Sequence, residues 1–199
     1  MRGRILCALV CAAIINLPIA ATIAPPAHAG GCVQNIAVGG TGDLGSAHVP
    51  GAPRSSYRVH YPADVFNASS RPIAERQIRD VANRAWARGC HVSLWAYSLG
   101  ASAGSTVTDG WIRHGARGSW NAVFYGSPRM PRHGHFIGIE AAGFPYVGYH
   151  YRGTSLRSPR VRNVCHTRDI VCSSPAPWTR DIPRTIDHTV GYLTNQHRY

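Results

Sequence analysis

The stretch from His91 to Gly104 (HVSLWAYSLGASAG) constrains this chain most. An apolar run of strand length passes, with only Ser98 between, into a series of very small residues that suits a closely packed helix. A strand that turns directly into a helix needs a sharp bend at Ser98 with small residues two before and two after it, and Ala96 and Gly100 stand there. Around this junction the pattern alternates. Cys32–Val38 and Tyr57–Tyr61 predict strands, the helical spacing of Ile73, Ile78, Val81, Ala82 and Ala85 predicts a helix over Pro72–Arg88 stopped by Gly89, and His91–Tyr97 predicts a strand before a helix over Ser98–His114. Asn121–Tyr125 and Arg160–Cys165 predict two more strands, and Thr185–Gln196 a closing helix. Such alternation is the mark of an α/β fold with a mostly parallel sheet and helices on both faces. Residues Pro131–Pro159, rich in Gly, Tyr and Arg, carry no assignment.

The first 29 residues stand apart from this pattern. Arg2 and Arg4 precede an apolar run from Ile5 to Ile15, and Ala27-His28-Ala29 matches a small-residue cleavage site, so 1–29 reads as a signal peptide and 30–199 as one domain of a secreted protein. Asn16, Pro18, Pro25 and Pro26 interrupt the run before about 20 apolar residues accumulate, which argues against an anchor. No later stretch reaches spanning length. A hydrophobic content of 44% with 15% charged residues excludes wholesale disorder.

Export changes the meaning of the cysteines. Cys7 and Cys11 leave with the leader, and Cys32, Cys90, Cys165 and Cys172 form an even set suited to two disulfides, in any of three pairings. Zinc is the rival use, but no C-x-x-C pair is present. All basic residues are Arg, and the net charge of +12 falls by two when Arg2 and Arg4 go. Guanidinium groups suit anionic lipid or envelope polymer, while the absence of Lys itself is better explained by a codon preference for Arg. The Arg residues are scattered and no nucleic-acid motif appears, which disfavours a nucleic-acid partner. His133 and His135, with His150 and His166 elsewhere, form no fixed metal-ligand set and read as surface histidines.

Ser98 at the strand-to-helix junction reads either as a nucleophile or as a helix cap. A serine hydroxyl needs a histidine base and an acid to orient it. Asp169, just past a strand, and His188 follow in the order Ser, Asp, His of α/β-hydrolases; Asp181 and Asp187 compete for the acid, Asp187 poorly because it adjoins His188. Oxyanion donors are expected from the backbone N–H of Leu99 and from Thr41 in the glycine-rich loop Gly39–Asp43. That loop matches no phosphate-binding fingerprint. The reading calls for no cofactor and no metal.

Gly40-Thr41-Gly42, Tyr61-Pro62-Ala63, Ala96–Ala101, the Cys165–Cys172 loop around Asp169, and His188 together resemble the cutinase family of secreted serine esterases over nearly all of residues 30–199. Gly126–Pro131 is also similar to a stretch of actinobacterial PE-PPE-type hydrolase domains. The resemblance implies a compact α/β-hydrolase with Ser98, Asp169 and His188 as triad, Thr41 and Leu99 at the oxyanion hole, disulfides Cys32–Cys90 and Cys165–Cys172, and an ester or lipid substrate. Family members commonly have Gly where Ala96 stands and Gln where Leu99 stands. The alternative that it allows is a catalytically silent member that binds envelope lipid or polymer.

Overall fold

A computed structural model describes residues 31–143 and 152–199. The expected leader and its cleavage site lie outside those residues. In chain order the elements are β1 (Val33–Val38), β2 (Tyr57–Arg58), α1 (Ser70–Ala87), β3 (His91–Tyr97), α2 (Leu99–His114), β4 (Trp120–Tyr125), β5 (Phe136–Ile137), β6 (Val161–Val164), β7 (Ser174–Pro175) and α3 (Ile182–Gly191), with 3-10 turns at Ile139–Ala141 and Trp178–Arg180. A π-type turn, Tyr192–Gln196, follows α3. None of the described helices is long and apolar enough to cross a membrane.

The main sheet is parallel throughout, in the order β2-β1-β3-β4-β6. One face of its central strands is apolar and buried. Val92, Leu94 and Ala96 of β3 are fully buried beside Ile36 and Val38 of β1 and Phe124 of β4. α1 and α2 pack on each other and both lie against this sheet. α1 ends because Gly89 takes φ +75°, a conformation that disfavours side chains with a Cβ. Trp86 of α1 meets Trp111 of α2 edge to face at 5.1 Å, and Trp111 meets Trp120 of the adjoining strand at a tilt at 5.2 Å.

The closing helix starts earlier than its periodicity predicted, at Ile182, and stops at Gly191 rather than continuing through Gln196. Asp181 sets the start by accepting from the Arg184 N–H. Gly191 sets the packing, since a methyl there would stand 2.2 Å from the Arg168 carbonyl oxygen. Within the stretch that carried no assignment, β5 pairs antiparallel with β7. Cys32 joins Cys90 and Cys165 joins Cys172, the pairing implied by the family resemblance.

The small residues that open α2 are a packing requirement. A methyl on Gly100 would lie 2.3 Å from the Gly39 carbonyl oxygen and 2.6 Å from that of Val38, backbone that cannot turn aside. A methyl on Gly104 would lie 2.9 Å from Phe124 and 3.4 Å from the Ala96 Cβ. The glycine on the helix thus makes room for the Phe124 ring of β4. Gly100→Ala should lower stability by roughly 3 kcal/mol, the upper range for overpacking, a fall in Tm of about 6–12 °C for a chain of this size. Thermal unfolding of the variant beside wild type checks this, and an unchanged Tm would contradict the close approach.

Candidate active site

The carboxyl ends of β1, β3 and β6 converge, as they do at ligand sites of open parallel sheets. Ser98 follows β3 with φ 53° and ψ −120°. A non-glycine residue held there stores on the order of 1–3 kcal/mol of backbone strain. The turn is pinned from both sides: Ser98 N–H donates to the Tyr125 carbonyl at the end of β4, and its own carbonyl accepts from the Ser102 N–H of α2. Gly40 allows the β1 loop to close over it, because a Cβ there would stand 3.0 Å from the Ser98 Cβ. Ser98 is therefore more than a helix cap, and its side chain makes no capping bond.

Its hydroxyl meets a histidine, but not the expected one. His197 Nε2 lies 2.8 Å from Ser98 Oγ, and His197 Nδ1 lies 2.6 Å from Asp169 Oδ2. The carboxylate partner assigns the proton to Nδ1, which leaves Nε2 as acceptor for the serine hydroxyl. His188 is elsewhere. It is buried on the inner side of α3, donates from Nδ1 to the Ser173 carbonyl at 2.5 Å, and stacks on Phe136 at 5.1 Å. The reason is geometric: α3 uses Thr185, His188 and Gly191 as its buried stripe, so His188 is spent on packing. Beyond Gly191 the chain makes its π-type turn, reverses at Asn195 (φ 72°) and delivers His197 to the serine.

Asp169 is completely buried. Its Oδ1 accepts from the Val171 N–H at 3.0 Å, and its Oδ2 accepts from both His197 and the Tyr199 hydroxyl, the latter at 2.6 Å. The Cys165–Cys172 disulfide closes the loop that carries it, and the Asp169 carbonyl accepts from Cys172 and Ser173 N–H groups. The competing acids have other partners. Asp187 is paired with Arg168 on the surface, and Asp181 caps α3.

His197 is fitted closely. A Cβ on Gly126 would lie 2.6 Å from its Cε1, and Gly126 sits at φ +55°, so only glycine leaves the ring its place. The Tyr97 hydroxyl donates to the His197 carbonyl at 2.5 Å. Burial, with Asp169 nearby, pushes the Tyr97 phenol up to about 12, so it stays a donor at neutral pH. Neither His197 nor Tyr199 stood out in the sequence, since both follow the predicted closing helix; the order Ser, Asp, His fits His197 as well as His188.

Thr41 and Leu99 are brought to Ser98, and together they line a pocket of about 100 Å³ with Val65, Ile139, Glu140 and Tyr192. Leu99 opens α2, so its N–H is among those with no intrahelical acceptor. The loop bearing Thr41 is rigidly tied. Tyr61 Oη donates to the Gly39 carbonyl, Gly39 N–H donates to Ser46 Oγ, and Gly42 N–H donates to the Ala63 carbonyl. Burial, reinforced by Asp43, pushes the Tyr61 phenol up and keeps it protonated. Glu140, buried in the pocket wall, pairs with Arg71 at 3.0 Å and accepts from Ser102 Oγ. Burial pushes its carboxyl up, partly offset by the Arg71 guanidinium.

Among the described residues no group of His, Cys, Asp and Glu is placed to hold a metal ion. The four cysteines among the described residues are all in disulfides, which removes them as zinc ligands.

No protein-family model matches the sequence, and no curated protein matches it. Among solved structures, a cutinase-like protein from Cryptococcus sp. is similar at 18% identity and a TM-score of 0.48, over 84% of this chain and 95% of that one.

Proposed function

We propose that this chain is a serine carboxylic-ester hydrolase. The observation that carries the reading is the hydrogen-bonded line from Ser98 through His197 to Asp169, with the serine held at a strained strand-to-helix turn. His197 Nε2 takes the proton from Ser98 Oγ as that oxygen attacks the ester carbonyl carbon. The carbonyl oxygen, now an oxyanion, faces the Leu99 N–H and Thr41, each such donor contributing about 2.7–4 kcal/mol in the transition state. His197 returns the proton to the leaving alcohol, and an acyl ester on Ser98 remains. Water, deprotonated by the same imidazole, attacks that ester; as the bond from the acyl carbon to Ser98 Oγ breaks, His197 returns the proton to Oγ and the acid is released. Asp169 keeps Nδ1 protonated and stabilises the imidazolium.

An apolar surface adjoins the site and supports an ester presented by lipid or polymer. Ile182, Ile186 and Val190 recur every four residues along the exposed side of α3, and Leu193 is 73% exposed beside Tyr192, which itself lines the Ser98 pocket. The Arg-rich composition suits an anionic envelope surface, and the two disulfides suit secretion after loss of residues 1–29.

Labelling with a fluorophosphonate and mapping of the modified residue tests the proposal. Modification of Ser98 together with turnover of p-nitrophenyl esters is the expected result. Failure of both would replace the enzyme with the silent, surface-binding alternative.

A further inference from the structure

The geometry points to Tyr199 as a positioning residue that acts on the triad through Asp169, an inference that rests on the esterase reading. The tyrosine hydroxyl is not a surface group that happens to lie nearby. It accepts from the His166 backbone N–H at 3.1 Å and donates to Asp169 Oδ2 at 2.6 Å, the same oxygen that accepts from His197 Nδ1. The donation received from His166 polarises the phenol O–H toward the carboxylate.

The ring is held on several sides. It stacks on the His166 imidazole at 4.3 Å, and meets Tyr97 of β3 at 6.1 Å, Tyr125 of β4 at 5.9 Å and His197 at 6.1 Å. His166 is itself fixed, donating from Nδ1 to the Gln196 carbonyl at 2.8 Å. The titratable and charged groups facing the phenol are thus Asp169 and His166 from the disulfide loop, Tyr97 and Tyr125 from the sheet, and His197 from its own segment. Burial and the Asp169 charge push the phenol up, so it remains a donor through the working range.

Sharing one carboxylate oxygen between two donors has a physical consequence. Charge drawn toward the phenol is not available to the imidazolium, so Tyr199 moderates the pull of Asp169 on His197 while it locks the plane of the carboxylate. Removing the hydroxyl concentrates that charge on the His197 bond and lets the carboxylate rotate. The acid limb of the pH profile then moves to higher pH, and alignment of Nε2 with Ser98 loosens.

The test is Tyr199→Phe, which keeps the ring stack, measured by the pH dependence of kcat/KM on a soluble p-nitrophenyl ester. The expected result is a fall in kcat of about tenfold with KM little changed, and an acid limb displaced to higher pH. Proton NMR of the His197 Nδ1–H provides a readout independent of turnover, with its low-field resonance expected to move in the variant. Tyr199→Leu, which also removes the stack, should share the pH displacement and lower Tm further. An unmoved acid limb and an unmoved resonance in Tyr199→Phe would overturn the inference, even if Tm fell. If wild type hydrolyses no ester, the esterase reading fails, and the resonance alone decides whether Tyr199 positions the Asp169–His197 pair.

Discussion

His197→Ala should lower kcat/KM on a soluble ester by about a millionfold, the loss expected when the base of a Ser-His-Asp unit is removed, while His188→Ala should leave turnover within a few-fold of wild type. The contrast follows from where the rings sit. His197 Nε2 is the group within hydrogen-bond reach of Ser98 Oγ, and without it no acceptor for the serine proton is held there. His188 is a buried packing residue bonded to the Ser173 carbonyl, so its removal leaves a cavity and an unpaired acceptor. The cost of that change is stability, about 2–4 kcal/mol for losing a large buried side chain. Kinetics and thermal unfolding of both variants check this together. Comparable activity losses in the two, with both folded, would contradict the assignment of the base.

Ser98→Ala should abolish ester turnover to a similar degree and remove fluorophosphonate labelling, with the fold retained. Alanine carries a Cβ as serine does, so the strained turn and its Tyr125 and Ser102 bonds are unaffected by the loss of the hydroxyl. Circular dichroism and Tm therefore should match wild type while activity vanishes. Wild-type turnover by this variant would place the nucleophile elsewhere.

Much of this site was legible because it depends on local chain geometry. The turn at Ser98 demands small neighbours on both sides of one short segment, and Ala96, Gly100 and Gly104 are visible there as letters. Asp169 stood out because two cysteines bracket it within a short loop just after a strand. The parallel sheet announced itself through apolar runs separated by helical spacing, and its strands fall within a residue or two of expectation except β2, which is shorter than Tyr57–Tyr61. Even there Val59 continues the alignment by donating to the Ala37 carbonyl.

The base was not legible in the same way. His188 and His197 both follow Asp169, and both obey the chain order of an α/β-hydrolase. Choosing between them required the phase of α3, whose inward stripe of Thr185, His188 and Gly191 consumes His188 against Ser173 and Phe136. It also required the reversal at Asn195 and the vacancy at Gly126 that admits the His197 ring. These are contacts between segments that lie apart in sequence, Ser173 and Phe136 with His188 and Gly126 with His197, or turns whose direction no single residue specifies. The α/β class, the serine at the strand-to-helix turn and Asp169 between Cys165 and Cys172 were readable in the sequence alone, because each is a short-range pattern. Which histidine meets Ser98, and that Tyr199 stands behind Asp169, were settled only by tertiary packing, because which face of a helix is buried and where the chain emerges from it depend on what the helix packs against.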